Sequence, residues 1–379
     1  MDLNKYREEI DTTDDRIKEL FEKRMQVASQ IAQFKKDNGL PVLNRTRERE
    51  IIGRLTAGQS DELAGYTKIL FTTLFDLSRS YQSRHITSEG SLAREIRDAL
   101  ANTPSTLPKS ASVACQGVEG AYSQIAADKL FARPSIIYVN SFEGVFKAVQ
   151  SGLCSYGILP LENSLHGSVT EVYDLMKEYK FHISKAVKLQ INHSLLANPG
   201  SSVSDIKEIV SHEQALGQCS DFLATLGKVK ITVCENTAAA AKAVAQSGRK
   251  DLAALSSKSC AELYGLSSLK DDVQNSHNNH TRFICISKKL EIYPGSNKTS
   301  LMLTLPHRPG ALYNMMAKFA AMGLNLTKIE SRPIPGSDFE FMFYFDMEAS
   351  VYTEDVITLL SELEASPEQF VFLGSYSEV

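Results

Sequence analysis

Leu3–Phe34, LNKYREEIDTTDDRIKELFEKRMQVASQIAQF, decides the character of the first segment of the chain. Its apolar residues Leu3, Tyr6, Ile10, Ile17, Leu20, Phe21, Val27, Ala28, Ile31 and Phe34 recur every three or four positions, the spacing of an amphipathic helix, and no Gly or Pro interrupts the run. Gly39 and Pro41 stop this helix. Asn44 caps a second one running through Ile51 and Leu55, and a third is expected from Tyr66 to about Tyr81. Two short helices do not cover the stripe of a helix more than 30 residues long, so the segment is expected to pair with a second copy of itself, as a homodimer or higher homo-oligomer.

Working outward, the texture changes twice. Thr103–Ser110, with Pro104 and Pro108 among small polar residues, reads as a linker, and we place the helical unit at 1–88 and the linker at 89–110. From 111 to 289, β-rich runs (Ser112–Cys115, Ser135–Val139, Tyr156–Leu161, Val229–Cys234, Asp251–Leu255, Phe283–Ile286) alternate with helical patterns, the signature of an α/β unit. The last unit, 298–379, reads strand Thr299–Leu305, helix Gly310–Met322, strand Leu324–Arg332, strand Phe339–Asp346, helix Thr353–Leu363 and strand Gln369–Tyr376. That β-α-β-β-α-β order is ferredoxin-like, an α+β fold.

A chain of 379 residues with 43% hydrophobic and 23% charged residues suits two or three globular domains and argues against disorder or a fibre. The net charge of -4 offers no field for a phosphate backbone, so nucleic acid is not an expected partner. Six scattered cysteines without a C-x-x-C pair read as free thiols. His277 and His280 have no acidic or cysteine ligand beside them, so no metal is expected, and nothing points to a nucleotide or organic cofactor. The charged start, Met1–Glu9, and the lack of an 18-residue apolar run predict a cytoplasmic protein without membrane contact.

Arg24 and Lys35, eleven residues apart, fall within about 20° of each other round the first helix and about 16 Å apart along it, so two long cations can converge on one small anion. Arg7 lies about 100° round and about 25 Å from Arg24, and reaches only another site. Arg47 and Glu48 open the second helix, and Ser78 and Gln82 share a face of the third. Taken singly, each charge could simply solvate a helix face. Together, through YREEID (Tyr6–Asp11), EKR (Glu22–Arg24) and RTRERE (Arg45–Glu50), the segment resembles the all-helical chorismate mutases, which are dimeric and intertwined. The resemblance implies that Arg24, Arg47 and a partner chain's Arg7 bind substrate carboxylates. It also implies that Lys35 and Gln82 donate to the ether oxygen of chorismate, with Glu48 and Ser78 near the ring hydroxyl. Such a pericyclic reaction needs a held conformation and preorganised donors, not a nucleophile. Asn44 stands where relatives carry an acidic residue, so capping is its expected role.

In the α/β unit, Gly117, Gly120 and Ser123 follow a strand and open a helix, a place where free backbone N–H groups favour an anion. Glu162, Asn163 and Ser164 end another strand and suit carboxylate or hydroxyl contacts, although a plain turn explains them equally. Thr281 and Arg282 adjoin at the start of an apolar strand with Phe283. Read together, QGVEGAYS (Gln116–Ser123), PLENSLHGSV (Pro160–Val169), SHEQALGQC (Ser211–Cys219), ENTAAA (Glu235–Ala240) and HTRF (His280–Phe283) resemble the prephenate dehydratases. The resemblance implies two lobes like a periplasmic binding protein, a site in the cleft, Thr281 as the essential hydroxyl, and Arg282 and Phe283 completing a substrate-binding motif.

In the C-terminal unit, Pro309-Gly310-Ala311-Leu312 and Glu330-Ser331-Arg332-Pro333 are expected in turns. They resemble the ACT domain of these dehydratases, which implies phenylalanine as an effector bound by Gly310, Ala311, Leu312, Glu330, Ser331, Arg332 and Pro333. The whole then reads as a bifunctional enzyme of phenylalanine biosynthesis making prephenate and phenylpyruvate. The rival reading is a phenylalanine-responsive binding protein with degenerate sites, against which Arg24, Lys35, Glu48 and Thr281 argue.

Overall fold

The computed structural model describes residues 3–40, 43–86, 90–307, 309–334, 340–365 and 369–379; Met1, Pro41 and Phe339 and the boundary positions 88 and 89 lie outside the described residues. Helix α1 (Leu3–Asp37) has 35 residues and so extends about 52 Å. It ends where Gly39 takes a φ of 64°, a left-handed conformation that costs glycine little. Helix α2 (Arg45–Thr56) begins on Asn44, whose Oδ1 accepts from the Arg47 N–H at 3.0 Å. Helix α3 (Asp61–Ile86) starts earlier than the expected Tyr66, because Ser60 caps it and Asp61 and Glu62 complement its dipole, which outweighs the interior Gly65. Only Ala28 and Ala32 of α1 are buried, while Leu3, Ile10, Ile17, Leu20 and Phe34 are each about 60% exposed.

Helix α4 (Ser91–Asn102) occupies the stretch expected to be a linker. Its Leu92, Ala93, Ile96 and Ala99 form a buried stripe, a periodicity that the prolines just beyond it masked. The α/β region then runs β1 (Ser110–Gln116), α5 (Tyr122–Leu130), β2 (Arg133–Val139), α6 (Phe142–Gln150), β3 (Tyr156–Asn163), β4 (Gly167–Ser168), α7 (Thr170–Tyr179) and β5 (His182–Gln190). The chain crosses to a second sheet formed by β6 (Ser194–Ala197), β7 (Glu208–Ser211), α8 (Glu213–Gln218), α9 (Ser220–Thr225), β8 (Lys230–Val233), α10 (Thr237–Ser247), β9 (Leu252–Ser256), α11 (Ser259–Tyr264) and β10 (Ser267–Lys270). It returns through β11 (His280–Ser287), which inserts antiparallel between β3 and β5. The sheet orders are β2-β1-β3-β11-β5 and β10-β6-β9-β7-β8, so two lobes are joined by two crossings of the chain. Strand β11 is buried on both faces from Thr281 to Ser287, as its unbroken apolar run FICI requires.

The last region is β12 (Lys298–Thr304), α12 (Ala311–Ala321), β13 (Asn325–Pro333), β14 (Phe341–Glu348), α13 (Glu354–Glu364) and β15 (Phe370–Tyr376), an antiparallel sheet ordered β13-β14-β12-β15. Helix α4 packs on α13, where the Glu364 carboxylate accepts from the Leu92 N–H at 3.1 Å and so caps α4 from another element. Leu290 and Ile292, between the expected units, are buried in the same core as Ile96, Leu360 and Phe345. Among the described residues, no helix is long and apolar enough to cross a membrane.

The C-terminal sheet is not a loose appendage. Its Met302, Met342, Tyr344, Leu373 and Tyr376 share one core with Ile183, Ala186, Ile284 and Ile286 of the first lobe, and the Tyr173 and Tyr344 rings meet edge to face at 4.7 Å. The tail continues the join, with the Lys188 N–H donating to the Val379 carbonyl at 2.9 Å. Gly374 makes the approach possible: its φ is 136°, and a Cβ there would stand 2.5 Å from the Ile183 carbonyl oxygen. Gly374→Ala is expected to destabilise the protein by about 2–4 kcal/mol; differential scanning calorimetry should show a lowered melting temperature, and an unchanged one would contradict this packing.

Candidate active sites

The helical region gathers part of its expected set. Arg24 donates from Nη1 to the Leu74 carbonyl at 3.1 Å and lies over the Phe75 ring. One and two turns further along α3, Ser78 and Gln82 are both buried, and the Gln82 amide donates to the Ser78 hydroxyl at 3.1 Å. Burial pushes the Arg24 and Lys35 cations down from their ordinary pKa values, and the charge of Glu48 pushes both back up, so these three groups share one field. Glu48 is itself paired with Arg79, which also binds Asp76. Sequence reasoning missed Arg79; its i,i+3 spacing from Asp76 was the available signal. Two expected ligands stand apart. Arg47 is 65% exposed and paired with Glu50, and Arg7 is exposed and donates to Asn4 Oδ1 at 3.4 Å.

A larger hollow of about 470 Å³, lined in part by Phe21, Tyr81, Asn314 and Met322, lies between the helical region and α12 and α13 and contains none of the expected site residues.

In the α/β region, alternation along β11 sorts the expected residues onto two faces. Thr281 sits opposite Asn163, and Arg282 opposite Glu162. The Asn163 amide donates from Nδ2 to Thr281 Oγ1 at 2.9 Å and to Asn279 Oδ1 at 2.8 Å, while its Oδ1 accepts from the Leu165 and His166 N–H groups at 3.0 and 3.1 Å. Those contacts fix which way the amide faces. One of them occupies an acceptor position of the Thr281 hydroxyl and leaves its proton to be donated elsewhere. The chain continues across the lobes: Asn279 donates to Gln218 Oε1 at 3.0 Å, which His193 Nε2 also approaches at 2.9 Å. With Gln218 accepting, His193 donates from Nε2. Burial pushes the His193 pKa down, so the ring is held neutral. Gln218 and Asn279 line a hollow of about 220 Å³ between the lobes, together with His166 and Ser276, and Thr281, only 8% exposed, is one link deeper.

Several expected ligands are turned to other work. Arg282, with its side chain 8% exposed, points away from the hollow into the C-terminal sheet, where Asp346 and Tyr376 receive it; Phe283 is buried among Ile158, Val187 and Leu189. Neither faces the space between the lobes, contrary to the sequence-based expectation: the face of β11 bearing Arg282 is covered by that sheet, and Phe283, on the opposite face, is covered by the core of the first lobe. Glu162 is likewise paired with Lys328. Ser164 staples two loops, donating to the Asn278 carbonyl and accepting from the His280 N–H, both at 2.9 Å. The anion-cradling turn is also closed: the Gly117, Gly120 and Ala121 N–H groups bond to Val139 O, Gln124 Oε1 and Val118 O, and Ser123 Oγ donates to Gln116 O at 2.7 Å. In the C-terminal region, Gly310 (φ 82°) caps α12 ahead of Ala311 and Leu312. Glu330 to Pro333 lie within edge strand β13 rather than in a turn, since Arg332 and Pro333 still pair with Met342 and Phe341. Glu330 accepts from the Ser168 hydroxyl at 2.7 Å and Arg332 pairs with Asp174 at 2.9 Å.

Residues 6–83 match the type II chorismate mutases and residues 113–291 the prephenate dehydratases, so the chain unites two enzyme classes. It is 31% identical over 379 residues to the bifunctional chorismate mutase/prephenate dehydratase of Escherichia coli, covering 98% of this chain and 95% of that one. The chloroplastic arogenate dehydratase/prephenate dehydratase 2 of Arabidopsis thaliana is 40% identical over 70% of this chain and 72% of its own. Among solved structures, prephenate dehydratase in complex with L-Phe from Arthrobacter aurescens superposes with a TM-score of 0.64 at 29% identity, over 70% of this chain and 89% of that one. The chain belongs to the bifunctional chorismate mutase/prephenate dehydratase family.

The amide at position 163 supports a direct test of the hydrogen-bond chain. In Asn163→Asp the two backbone donors stay satisfied, but a carboxylate oxygen replaces the amide donor against Asn279 Oδ1 and the His280 carbonyl, acceptors that have no proton to give, which raises its folded pKa above about 3.9. A raised folded pKa gives stability that is present at low pH and lost as pH rises. The variant's melting temperature should therefore lie below wild type at pH 7 and close the gap towards pH 4; a pH-independent gap would contradict the assigned amide orientation.

Proposed function

We propose that this chain is a cytoplasmic enzyme of phenylalanine biosynthesis that rearranges chorismate to prephenate in the unit 1–88 and converts prephenate to phenylpyruvate in the unit 111–289. The unit 298–379 is then a ferredoxin-like ACT domain that binds phenylalanine, reached through the stretch 89–110. The observation that carries the reading is the donation from Asn163 Nδ2 to Thr281 Oγ1, which leaves the hydroxyl proton for the substrate.

In the mutase step, Arg24, with Arg47 and a partner copy's Arg7, holds the two carboxylates. Lys35 and Gln82 face the ether oxygen as negative charge grows there, and Glu48 and Ser78 take the ring hydroxyl. Positioning and preorganised donors are all that this rearrangement asks. The uncovered stripe of α1 and the outlying Arg7 support an intertwined homodimer, in which that arginine would reach the second site.

In the dehydratase step, the ring carboxylate leaves as carbon dioxide, its bonding electrons enter the ring, and the ring hydroxyl departs as water. Thr281 donates a hydrogen bond to the departing oxygen, and the one proton consumed overall comes from solvent. Neighbours that donate to Oγ1 stabilise negative charge there, which strengthens a weak acid as a donor. The two lobes and their twice-crossing chain suit a cleft like that of a periplasmic binding protein. Phenylalanine as effector is supported by the L-Phe complex of the Arthrobacter aurescens relative and by the β-α-β-β-α-β order.

Turnover of chorismate, prephenate and arogenate by purified protein tests the reading, with Thr281→Val and Arg24→Ala beside wild type. Thr281→Val should lose at least about a hundredfold of dehydratase rate and keep mutase rate, and Arg24→Ala the reverse. Faster arogenate than prephenate turnover would change the substrate assignment and leave Thr281 in place. A wild type that turns over none of the three would instead be a phenylalanine-responsive binding protein.

A further inference from the structure

Resting on the dehydratase reading above, we propose that Arg282 is a positioning residue that makes the C-terminal sheet a working part of the dehydratase centre. Seating its guanidinium between Asp346 and Tyr376 holds β11 so that Thr281 meets Asn163.

The geometry begins with strand alternation: Thr281 and Arg282 are neighbours whose side chains leave β11 on opposite faces. On the far face Arg282 Nη1 lies 3.6 Å from Glu162 of β3, and its other partners belong to the last region of the chain. Nη1 binds the Asp346 carboxylate, Nη2 donates to the Tyr376 hydroxyl, and Glu378 Oε2 lies 3.1 Å from Nε, at an angle too poor for a hydrogen bond. Asp346 is 1% exposed and also accepts from Ser300, whose hydroxyl is 2.6 Å from that of Tyr376. The result is a closed buried network. Burial would push the Arg282 pKa down, but Tyr376, Asp346 and Tyr344 outweigh it and the cation is kept. A buried charge of this kind is tolerated only while its partner is present.

The backbone at this point needs such an anchor. The ladder between β11 and β3 slips between Arg282 and Phe283, where the partners jump from Glu162 to Pro160. The bulge re-aims the side chains on the β3 side, while the β5 ladder keeps regular register from His280 to Cys285. How Thr281 meets Asn163 across the bulged side therefore depends on where its neighbour is fastened. A second tie reaches the opposite strand: Lys328 of β13 binds Glu162 and donates to Ser168 Oγ at 2.9 Å. Ser168 donates in turn to Glu330 at 2.7 Å, two residues along β13 from that lysine. Both strands that carry the Thr281–Asn163 pair are thus gripped by the C-terminal sheet. Any ligand that shifts β13 or β14 must shift the pair.

Asp346→Asn, assayed in the full chain for prephenate and chorismate turnover and for inhibition by phenylalanine, tests this. Asp346 is remote from the hollow and touches no substrate. The expected result is a fall of about ten- to hundredfold in kcat for prephenate with little change in KM, an altered phenylalanine response, and an unchanged mutase rate that certifies the fold of each preparation. Glu378→Gln, at the edge of the network, should move the same parameters less and remains informative if Asp346→Asn does not fold. A lowered melting temperature with kcat, KM and phenylalanine response intact in both variants would overturn the proposal and leave an ordinary structural ion pair. So would a rise in KM for prephenate on Arg282→Lys with Asp346→Asn silent, which would return Arg282 to the substrate. Loss of prephenate turnover by the wild type itself would sink the dehydratase reading instead.

Discussion

The pairing of β11 between β3 and β5 is the constraint on which the rest of the molecule depends. It is the strand by which the chain re-enters the first sheet after building the second lobe, so its register fixes the relation of the lobes. One face carries Thr281 towards Asn163 and the polar chain to His193, and the other carries Arg282, Ile284 and Ile286 into the core shared with the C-terminal sheet. An apolar interface would have joined the two sheets as firmly. The buried Arg282–Asp346 pair adds orientation to that join, because an ion pair without its partner is far costlier in an interior than a hydrophobic contact slightly out of place.

The helical region obeys different physics. Its cations sit at the surface, share the field of Glu48 and are only partly desolvated, which suits a site that must exchange a dianion with water. Among the described residues, much of its α1 stripe is exposed, although α1 packs along α3. Contact with the remainder is confined largely to α3 against α13 and to Asn314, which donates to Asp76. The same Asp76 holds Arg79 beside Glu48, so the two halves are mechanically linked there as well.

Much of this was legible from residue order. The long uninterrupted periodicity of α1, the Asn44 cap and the alternation of strands and helices all express local rules, and each appears in the structure. What sequence left hidden depends on tertiary contact. Helix α4 was read as linker because Pro104 and Pro108 spoke louder than its Leu92–Ile96–Ala99 stripe, whose partner α13 lies more than 250 residues away. The HTRF motif was expected to form a site, but residue order did not tell which of its members turns towards Asn163 and which away; that needed the register of β11 and the sheet behind it. Ser123, Ser164 and Glu162 have the right chemistry for a ligand, and the fold spends it on a turn, a loop staple and an ion pair.

Amide hydrogen exchange of the full chain, with and without phenylalanine, addresses most directly the claim that the C-terminal sheet and the Thr281 strand act as one body. Protection should change together at Lys328–Arg332 of β13 and at His280–Phe283 of β11, because the ion pairs couple their local opening. A change confined to β13, with β11 exchanging at its original rate, would show that the C-terminal sheet moves without the Thr281 strand and would contradict this account.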